Sequence, residues 1–212
     1  MLKKKLLSLS FLAVLMFAGF QSQAQKVVLK INPLSLFVLT GNIQGEYAFN
    51  EKMSAQLGFY IGNINLGFGA SGTDGGVNYT WYGVTPEFRY YVTNKTKEAP
   101  RGFYVAPFMR YSKVSYDFTG SVTDPDNGLN TTASIGADVN SIGGGVSLGY
   151  QWLFGDVFAL DLFFGPQYRS SSTTFTATCD GCDGDETVID EGVGLNFGGV
   201  GIRTGIAIGV AF

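Results

Sequence analysis

The stretch GLNFGGVGIRTGIAIGVAF, from Gly194 to Phe212, alternates between two kinds of residue with a period of two. Successive side chains of a β-strand point to opposite faces, so this stretch predicts one strand with two unlike faces. From Gly199 onward, the face that ends in Phe212 is almost wholly apolar, and the other holds only glycine, alanine and Arg203. Small residues suit a crowded interior, and an apolar outer face suits surroundings other than water. This pattern is typical of a strand in a transmembrane β-barrel.

The same alternation recurs through the chain between clusters of turn residues, which predicts eight strands. An even number of strands is the rule for single-chain bacterial barrels. We therefore predict an all-β fold, an eight-stranded antiparallel up-and-down transmembrane β-barrel. The predicted strands are Val27–Phe37 (weakened by Pro33), Gly41–Asn50, Met53–Gly69, Asn78–Thr93, Gly102–Thr119, Ala137–Phe154, Val157–Ala177 and the closing stretch.

Short and long connections alternate along the chain. Barrels of this kind have short periplasmic turns and longer extracellular loops, so both termini are predicted to lie in the periplasm. About 9–11 tilted residues span a bilayer, and most predicted strands are longer, so we expect the barrel to project beyond the outer surface. The short turns are Asn50–Lys52, Asn94–Arg101 and Gly155–Asp156; the longer loops are Ala70–Val77, Gly120–Gly136 and Thr178–Val193.

The N-terminus has the layout of a secretory signal peptide. Lys3, Lys4 and Lys5 precede an apolar run, and Ser22-Gln23-Ala24 offers small residues for cleavage before Gln25. The alternative is a membrane anchor. We predict a signal peptide over residues 1–24 and a barrel domain over residues 25–212. Cleavage of the signal peptide removes three of the 14 basic residues. The remaining 11 basic residues face 17 acidic ones, which gives a net charge of −6. No basic footprint for nucleic acid is present.

Several charged residues fall on the inward-facing side of the predicted strands. The interior of an eight-stranded barrel is only wide enough for its own side chains, and charges in such a space must be paired. We predict a salt-bridged plug in which Arg203 is the partner of Glu87; an ion path or an acid–base site is the alternative. The predicted network consists of Glu46, Glu87, Arg89, Arg110, Asp161, Arg169 and Arg203.

The chain contains no histidine, the residue whose ordinary pKa suits general base chemistry near neutral pH. A carboxylate pair remains possible, but no candidate pair faces an open cleft in the predicted barrel. We therefore expect no catalytic residues and no cofactor.

The last predicted loop carries Cys179 and Cys182, which we expect to form a disulfide because exported loops are oxidised. Redox catalysis and zinc binding fit less well, since no strand-to-helix setting is predicted and two thiols alone make a poor zinc site. The same loop is acidic. Solvated tips, or tips bridged to lipopolysaccharide through divalent ions, are expected, and the alternative is a Ca²⁺ site. That site would consist of Asp180, Asp183, Asp185 and Glu186.

The organisation of the chain after the signal peptide resembles that of small eight-stranded outer-membrane proteins of the OmpA-barrel and OmpX type. Three segments are also similar to a family of largely uncharacterised Bacteroidetes-type barrels. They are LKINPLSLF (Leu29–Phe37), GNIQGEYAFNEKMS (Gly41–Ser54) and TPEFRYYV (Thr85–Val92). The resemblance implies the barrel fold and an outer-membrane location, and it implies that Phe212 is the C-terminal signal read by the barrel assembly machinery. It brings no catalytic residues.

The expected role is that of a non-enzymatic, porin-like cell-envelope protein, structural or in contact with an extracellular ligand through its outer loops. A narrow pore for small solutes is the alternative, although a filled interior argues against it. A soluble lipocalin-like carrier would be apolar inside and polar outside, the inverse of the predicted pattern. The expected partners are outer-membrane lipid, lipopolysaccharide and the assembly machinery, around a monomer.

Overall fold

The computed structural model describes residues 27–70, 73–92, 98–123, 130–180 and 195–212. Eight antiparallel strands form a closed ring in which each strand pairs with its neighbours in sequence and β8 pairs with β1. This confirms the predicted fold class. The strands are β1 Val27–Ile31, β2 Thr40–Asn50, β3 Met53–Ala70, β4 Thr73–Tyr91, β5 Gly102–Thr123, β6 Asn130–Phe154, β7 Phe158–Asp180 and β8 Leu195–Ala211. The predicted signal peptide lies outside the described residues.

The first strand is shorter than predicted. It ends at Ile31, and a 3-10 helix follows over Pro33–Val38. Pro33 has no backbone N–H for the β-ladder, and the Asn32 side chain accepts a hydrogen bond from the Leu34 N–H at 3.0 Å. The sequence Asn-Pro therefore starts a helical turn where strand was predicted. No helix among the described residues has the length and hydropathy to cross a membrane.

Strands β3 to β7 are longer than predicted, and the predicted loops are correspondingly shorter. β3 and β4 pair as far as Ala70 with Thr73, and β5 and β6 pair as far as Thr123 with Asn130. Most of the predicted loops Ala70–Val77 and Gly120–Gly136 is therefore strand. β7 also continues to Asp180, inside the third predicted loop.

We call the end of the barrel where β1 begins and β8 ends the lower end. A belt of apolar side chains covers the outside of this lower half. On β7 the belt runs from Phe158 to Tyr168, which matches the roughly 9–11 residues that a tilted strand needs to cross a bilayer. On the neighbouring strands it ends at Ile61, Tyr82, Tyr111 and Ile142, all of which are exposed. A closed barrel with charges inside and this belt outside is built to span a membrane.

Above the belt, β3 to β7 continue as a five-stranded region that we call the outer sheet. Its outward positions are polar, and several of their side chains bond one another: Asn63 donates to Asn78 Oδ1 at 2.8 Å, and Lys113 Nζ lies 2.9 Å from Asp138 Oδ2. The strands therefore extend beyond the apolar belt. The outward set comprises Asn63, Asn65, Asn78, Thr80, Lys113, Ser115, Asp117, Asp138, Asn140, Ser170, Ser172, Thr174 and Thr176.

The inner face of the outer sheet is apolar. Strand register aligns its residues in rows, of which the uppermost is Leu66, Val77, Phe118, Ile135 and Ala177. The next row is Ile64, Tyr79, Tyr116, Ala137 and Phe175, and beneath it lie Trp81, Val114 and Val139. We call these thirteen residues the inner apolar face. Its apolar side chains are partly or largely exposed, unlike those of a soluble core.

Candidate functional site

A buried ionic network fills the lower half of the barrel. At its base, Lys30 on β1 is 1% exposed, and its ammonium group donates three hydrogen bonds. The acceptors are Glu46 Oε2 at 2.7 Å, Gln151 Oε1 at 2.8 Å and Asp161 Oδ2 at 2.9 Å. One cation thereby ties β1 to β2, β6 and β7 across the interior.

Arg89 on β4 lies at the centre of the network and is fully buried. Its Nη1 donates to Asp161 Oδ2 at 2.8 Å and to Glu46 Oε2 at 3.3 Å, and its Nε donates to Glu87 Oε1 at 2.6 Å. The guanidinium also stacks on the ring of Tyr104, 4.2 Å from the centroid. A planar, permanently charged group with a fork of donors suits this shared position better than a lysine would.

Neutral donors satisfy the remaining carboxylate oxygens. Glu46 Oε1 accepts from the Tyr91 hydroxyl and the Ser54 hydroxyl, each at 2.6 Å. Asp161 Oδ1 accepts from the Tyr104 hydroxyl at 2.7 Å. Hydrogen bonds of this kind are what a buried ion cluster needs to offset desolvation.

Arg203 forms the top of the network. Its Nη1 donates to Glu87 Oε2 and, at 3.0 Å, to the Ser147 hydroxyl. Its guanidinium lies between the rings of Phe108 and Phe163, 4.4 Å and 4.6 Å from their centroids. The structure thus pairs Arg203 with Glu87, the partner expected from sequence.

Two glycines make room for the bulky inward side chains. A Cβ on Gly149 would collide with the Tyr104 ring, and a Cβ on Gly205 would collide with the Phe163 ring. The small face of the closing strand therefore accommodates side chains from other strands, as its alternation suggested.

In total, Lys30, Arg89 and Arg203 balance Glu46, Glu87 and Asp161 within the described residues. We call these six residues the plug. Every member has fixed partners, and each is 6% exposed or less. Such an arrangement fixes strand register, and each carboxylate of the plug is bonded to two of its cations.

Two predicted members lie outside the plug. Arg110 has no carboxylate partner among the described residues, and its Nε donates to Thr85 Oγ1 at 3.1 Å. Arg169 occupies an inward position of β7 but is exposed, and no ion pair is found for it in the described part of the chain. Both lie above the plug, where the barrel opens, so burial does not force them into pairs.

Sequence reasoning missed Lys30. The segment VVLKI places Lys30 on the same face as Val28, opposite Val27, Leu29 and Ile31, so alternation alone marked it as inward-facing. Pro33 had weakened the prediction of this strand as a whole.

The predicted disulfide and Ca²⁺ site lie beyond the described side chains. Cys182, Asp183, Asp185 and Glu186 are outside the described residues, while Cys179 and Asp180 are placed only as backbone at the end of β7. Among the described residues, no three His, Cys, Asp or Glu side chains come together as metal ligands would.

A comparison with protein families matches residues 10–185 to the family described as "Protein of unknown function (DUF3575)". The chain belongs to this family. No functionally curated protein is detectably similar in sequence.

Solved structures with a related chain path have low similarity to this chain. CarO of Acinetobacter baumannii has a TM-score of 0.43 and 11% identity, covering 91% of this chain and 100% of that chain. CarO2 of the same organism has a TM-score of 0.41 and 14% identity, covering 89% and 98%. A major outer membrane protein of Thermus thermophilus has a TM-score of 0.37 and 14% identity, covering 90% and 100%. These values are too low to transfer any property of those proteins.

Proposed function

We propose that this protein is a closed, non-enzymatic barrel of the bacterial outer membrane that contacts extracellular material through its outer sheet and loops. The plug carries the proposal. Six buried, mutually paired charges occupy the lumen where a solute would have to pass. An eight-stranded barrel has no room for both such side chains and an aqueous path.

The apolar belt supports a membrane location, and a closed barrel is the β-structure that satisfies its own backbone in lipid. In the outer membrane the belt would face lipid and the polar outward side of the outer sheet would face lipopolysaccharide. Both termini would then be periplasmic, with Phe212 read by the barrel assembly machinery. We expect a monomer, since β8 pairs with β1 and the ring of strands is closed.

Absence of enzymatic activity is supported by the sequence and by the state of the carboxylates. The chain has no histidine, and Glu46, Glu87 and Asp161 are each held by cations within the plug. A general base must reach a substrate proton, and no plug carboxylate faces open space.

Electrical recordings test whether the barrel is closed. The purified protein, inserted into planar bilayers, should show no stable unitary conductance, and proteoliposomes should not swell in small sugars. Steady conductance steps or swelling would overturn the closed barrel in favour of a narrow pore.

Cells test the contact role. A deletion strain should lose adhesion or envelope integrity and regain it with the wild-type gene, at unchanged uptake of small solutes. A defect in uptake alone would instead indicate transport.

A further inference from the structure

The region between the plug and the inner apolar face combines unbalanced positive charge with apolar surface. Arg110 and Arg169 lie in one register row, separated only by Gly143, and both occupy inward positions. Arg110 is close enough to Arg169 and Arg203 to feel both positive charges. Glu87 is the carboxylate within reach, and it is already shared between Arg89 and Arg203. Among the described residues, the lumen above the neutral plug is therefore positive.

A cavity of about 200 Å³ lies at this level, and Arg110, Arg203, Gln56 and Tyr60 contribute to its lining. Among the described residues, the one hydrogen bond of Arg110 goes from Nε to Thr85, which leaves its two terminal nitrogens available. Three buried polar atoms lack partners in the described part of the chain: Arg89 Nη2 within the plug, and Gln56 Oε1 and Arg203 Nε on residues that line this cavity. Gln56 is 3% exposed and Arg203 is 6% exposed, so bulk water does not readily satisfy them. Buried polar atoms without partners are rare and call for an explanation such as a bound group.

The inner apolar face lies directly above this cavity. Leu66 is 60% exposed, Ile135 59% and Phe118 49%, all on the side that continues the lumen wall. Trp81 crosses Gly62 and donates to Thr40 Oγ1 at 2.9 Å, and its ring contacts Tyr79 at 4.6 Å between centroids. Exposed apolar residues gathered on one face usually mark a binding surface.

We propose that this half of the barrel binds an amphipathic anion with a single apolar chain. Its oxyanion head, a carboxylate or a phosphate, binds Arg110 beside Arg203 and supplies the missing negative charge. Its chain extends outward along the inner apolar face. The plug closes the site on the periplasmic side, so a bound ligand is held there and does not pass through the barrel. The inference therefore rests on the proposed closed barrel.

Tryptophan quenching tests the site. Trp81 lies within the inner apolar face, and Trp152, the other tryptophan of the chain, belongs to the belt. The Trp152→Phe protein is placed in vesicles of phosphatidylcholine whose acyl chains carry no bromine. It is then titrated with a long-chain carboxylate that is brominated on its alkyl chain. We expect saturable quenching of Trp81. The Trp81→Phe protein, which reports from Trp152, should show only the weak, unsaturable quenching of probe dissolved in lipid.

Variants in the Trp152→Phe background locate the head and the chain. Arg110→Gln should weaken binding about tenfold or more, because a hydrogen bond to a charged group contributes about 1.5–3 kcal/mol. Arg101→Gln, on a partly exposed residue at the opposite end of the barrel, is the matched control and should bind normally. Phe118→Ser should weaken binding by about tenfold through lost apolar contact. Asp117→Ser, on the polar outward side, should not.

Probes with other heads decide the chemistry. A brominated alkyl phosphate that binds in an Arg110-dependent way supports a general oxyanion site, and failure of the phosphate narrows the head to a carboxylate. Equal binding of the brominated alcohol, or normal binding by Arg110→Gln, overturns the anionic site. Identical quenching in the Trp81→Phe and Trp152→Phe proteins also overturns it, because the probe would then only have partitioned into the lipid. Conductance of the wild-type barrel would refute the closed barrel separately and leave these binding results interpretable.

Discussion

Five of the eight strands that carry the belt, β3 to β7, continue into the outer sheet, and the two regions have opposite polarity. In β7, Leu162 and Phe164 face outward in the belt, whereas Thr174 and Thr176 face outward twelve residues higher on the same side. Inward, the order is reversed: Asp161 lies in the plug and Phe175 on the inner apolar face. Strand propensity is similar in both halves. The surroundings, lipid below and water above, decide which face is polar.

Removing one charge from the plug should damage the belt region most. Lys30→Met leaves Glu46 and Asp161 with Arg89 as their one remaining cation, and Arg89 also bonds Glu87. Breaking a buried ion cluster costs about 3–5 kcal/mol, because the remaining charges stay uncompensated. Urea unfolding in lipid vesicles, followed by heat-modifiable mobility on gels, measures the loss.

The matched control is Lys52→Met, on the exposed turn between β2 and β3. Its free energy of unfolding should change by less than about 0.5 kcal/mol. Equal stability of the two variants would show that the plug does not stabilise the barrel.

A charge on the outward face should separate the two regions directly. Leu162→Lys places an ammonium group near the middle of the belt, where lysine in a membrane barrel costs about 2–4 kcal/mol. Thr174→Lys places the same charge on the outward face of β7 as Leu162→Lys does, but in the outer sheet. We expect it to change the free energy of unfolding by less than about 0.5 kcal/mol. Similar losses in both would mean that the bilayer extends over the outer sheet.

The belt half of the fold could be predicted from sequence because one rule, apolar out and small or polar in, holds along the whole of it. The upper edge of the outer sheet and its apolar inner face could not, because the same rule reverses above the belt. Segments such as ASGTDGGV, Ala70 to Val77, then read as loop, although β3 and β5 pair with most of it. The reversal was visible in the alternation of Asn78, Thr80 with Tyr79, Trp81, but only a search for inverted polarity would have found it.

The plug shows the same limit at the level of single residues. Glu87 and Arg203 could be paired because both lie on strands with clear alternation. Counting residues along each strand from the turns also places them at similar heights in the barrel. Which cation would meet Glu46 and Asp161 depended on the stagger of β1 against β8, which pairs Lys30 with Gly209. Short strands carry too little pattern to fix that stagger. Arg110 and Arg169 were misassigned because sequence gives the face of a residue and not the height at which the lumen opens.

The junction between the two regions depends on a smaller contact. Trp81→Phe keeps the ring on the inner apolar face but removes its hydrogen bond to Thr40 Oγ1. A neutral hydrogen bond contributes about 0.5–1.5 kcal/mol, so we expect a local loss of this size. Amide hydrogen exchange should accelerate at the start of β2, while exchange of the plug-bearing parts of β2 and β7 stays unchanged. Faster exchange throughout would show that the two regions unfold as one unit.

Protonation on the outward side of the outer sheet should have the smallest effect. The hydrogen bond from the Ser115 hydroxyl, together with the bond from Lys113, lowers the pKa of Asp138 below its ordinary value, with desolvation opposing them. A lowered carboxyl pKa stabilises the fold above the pKa of the unfolded chain, and that contribution is lost as the pH falls through the folded value. Because the Asp138 side chain is 43% exposed, solvent screening limits the effect to a few tenths of a kcal/mol. Carbon-13 NMR of the Asp138 carboxyl should show a titration midpoint that Ser115→Ala returns toward the ordinary value. An unchanged midpoint would mean that the polar face of the outer sheet is merely solvated and not held by its own hydrogen bonds.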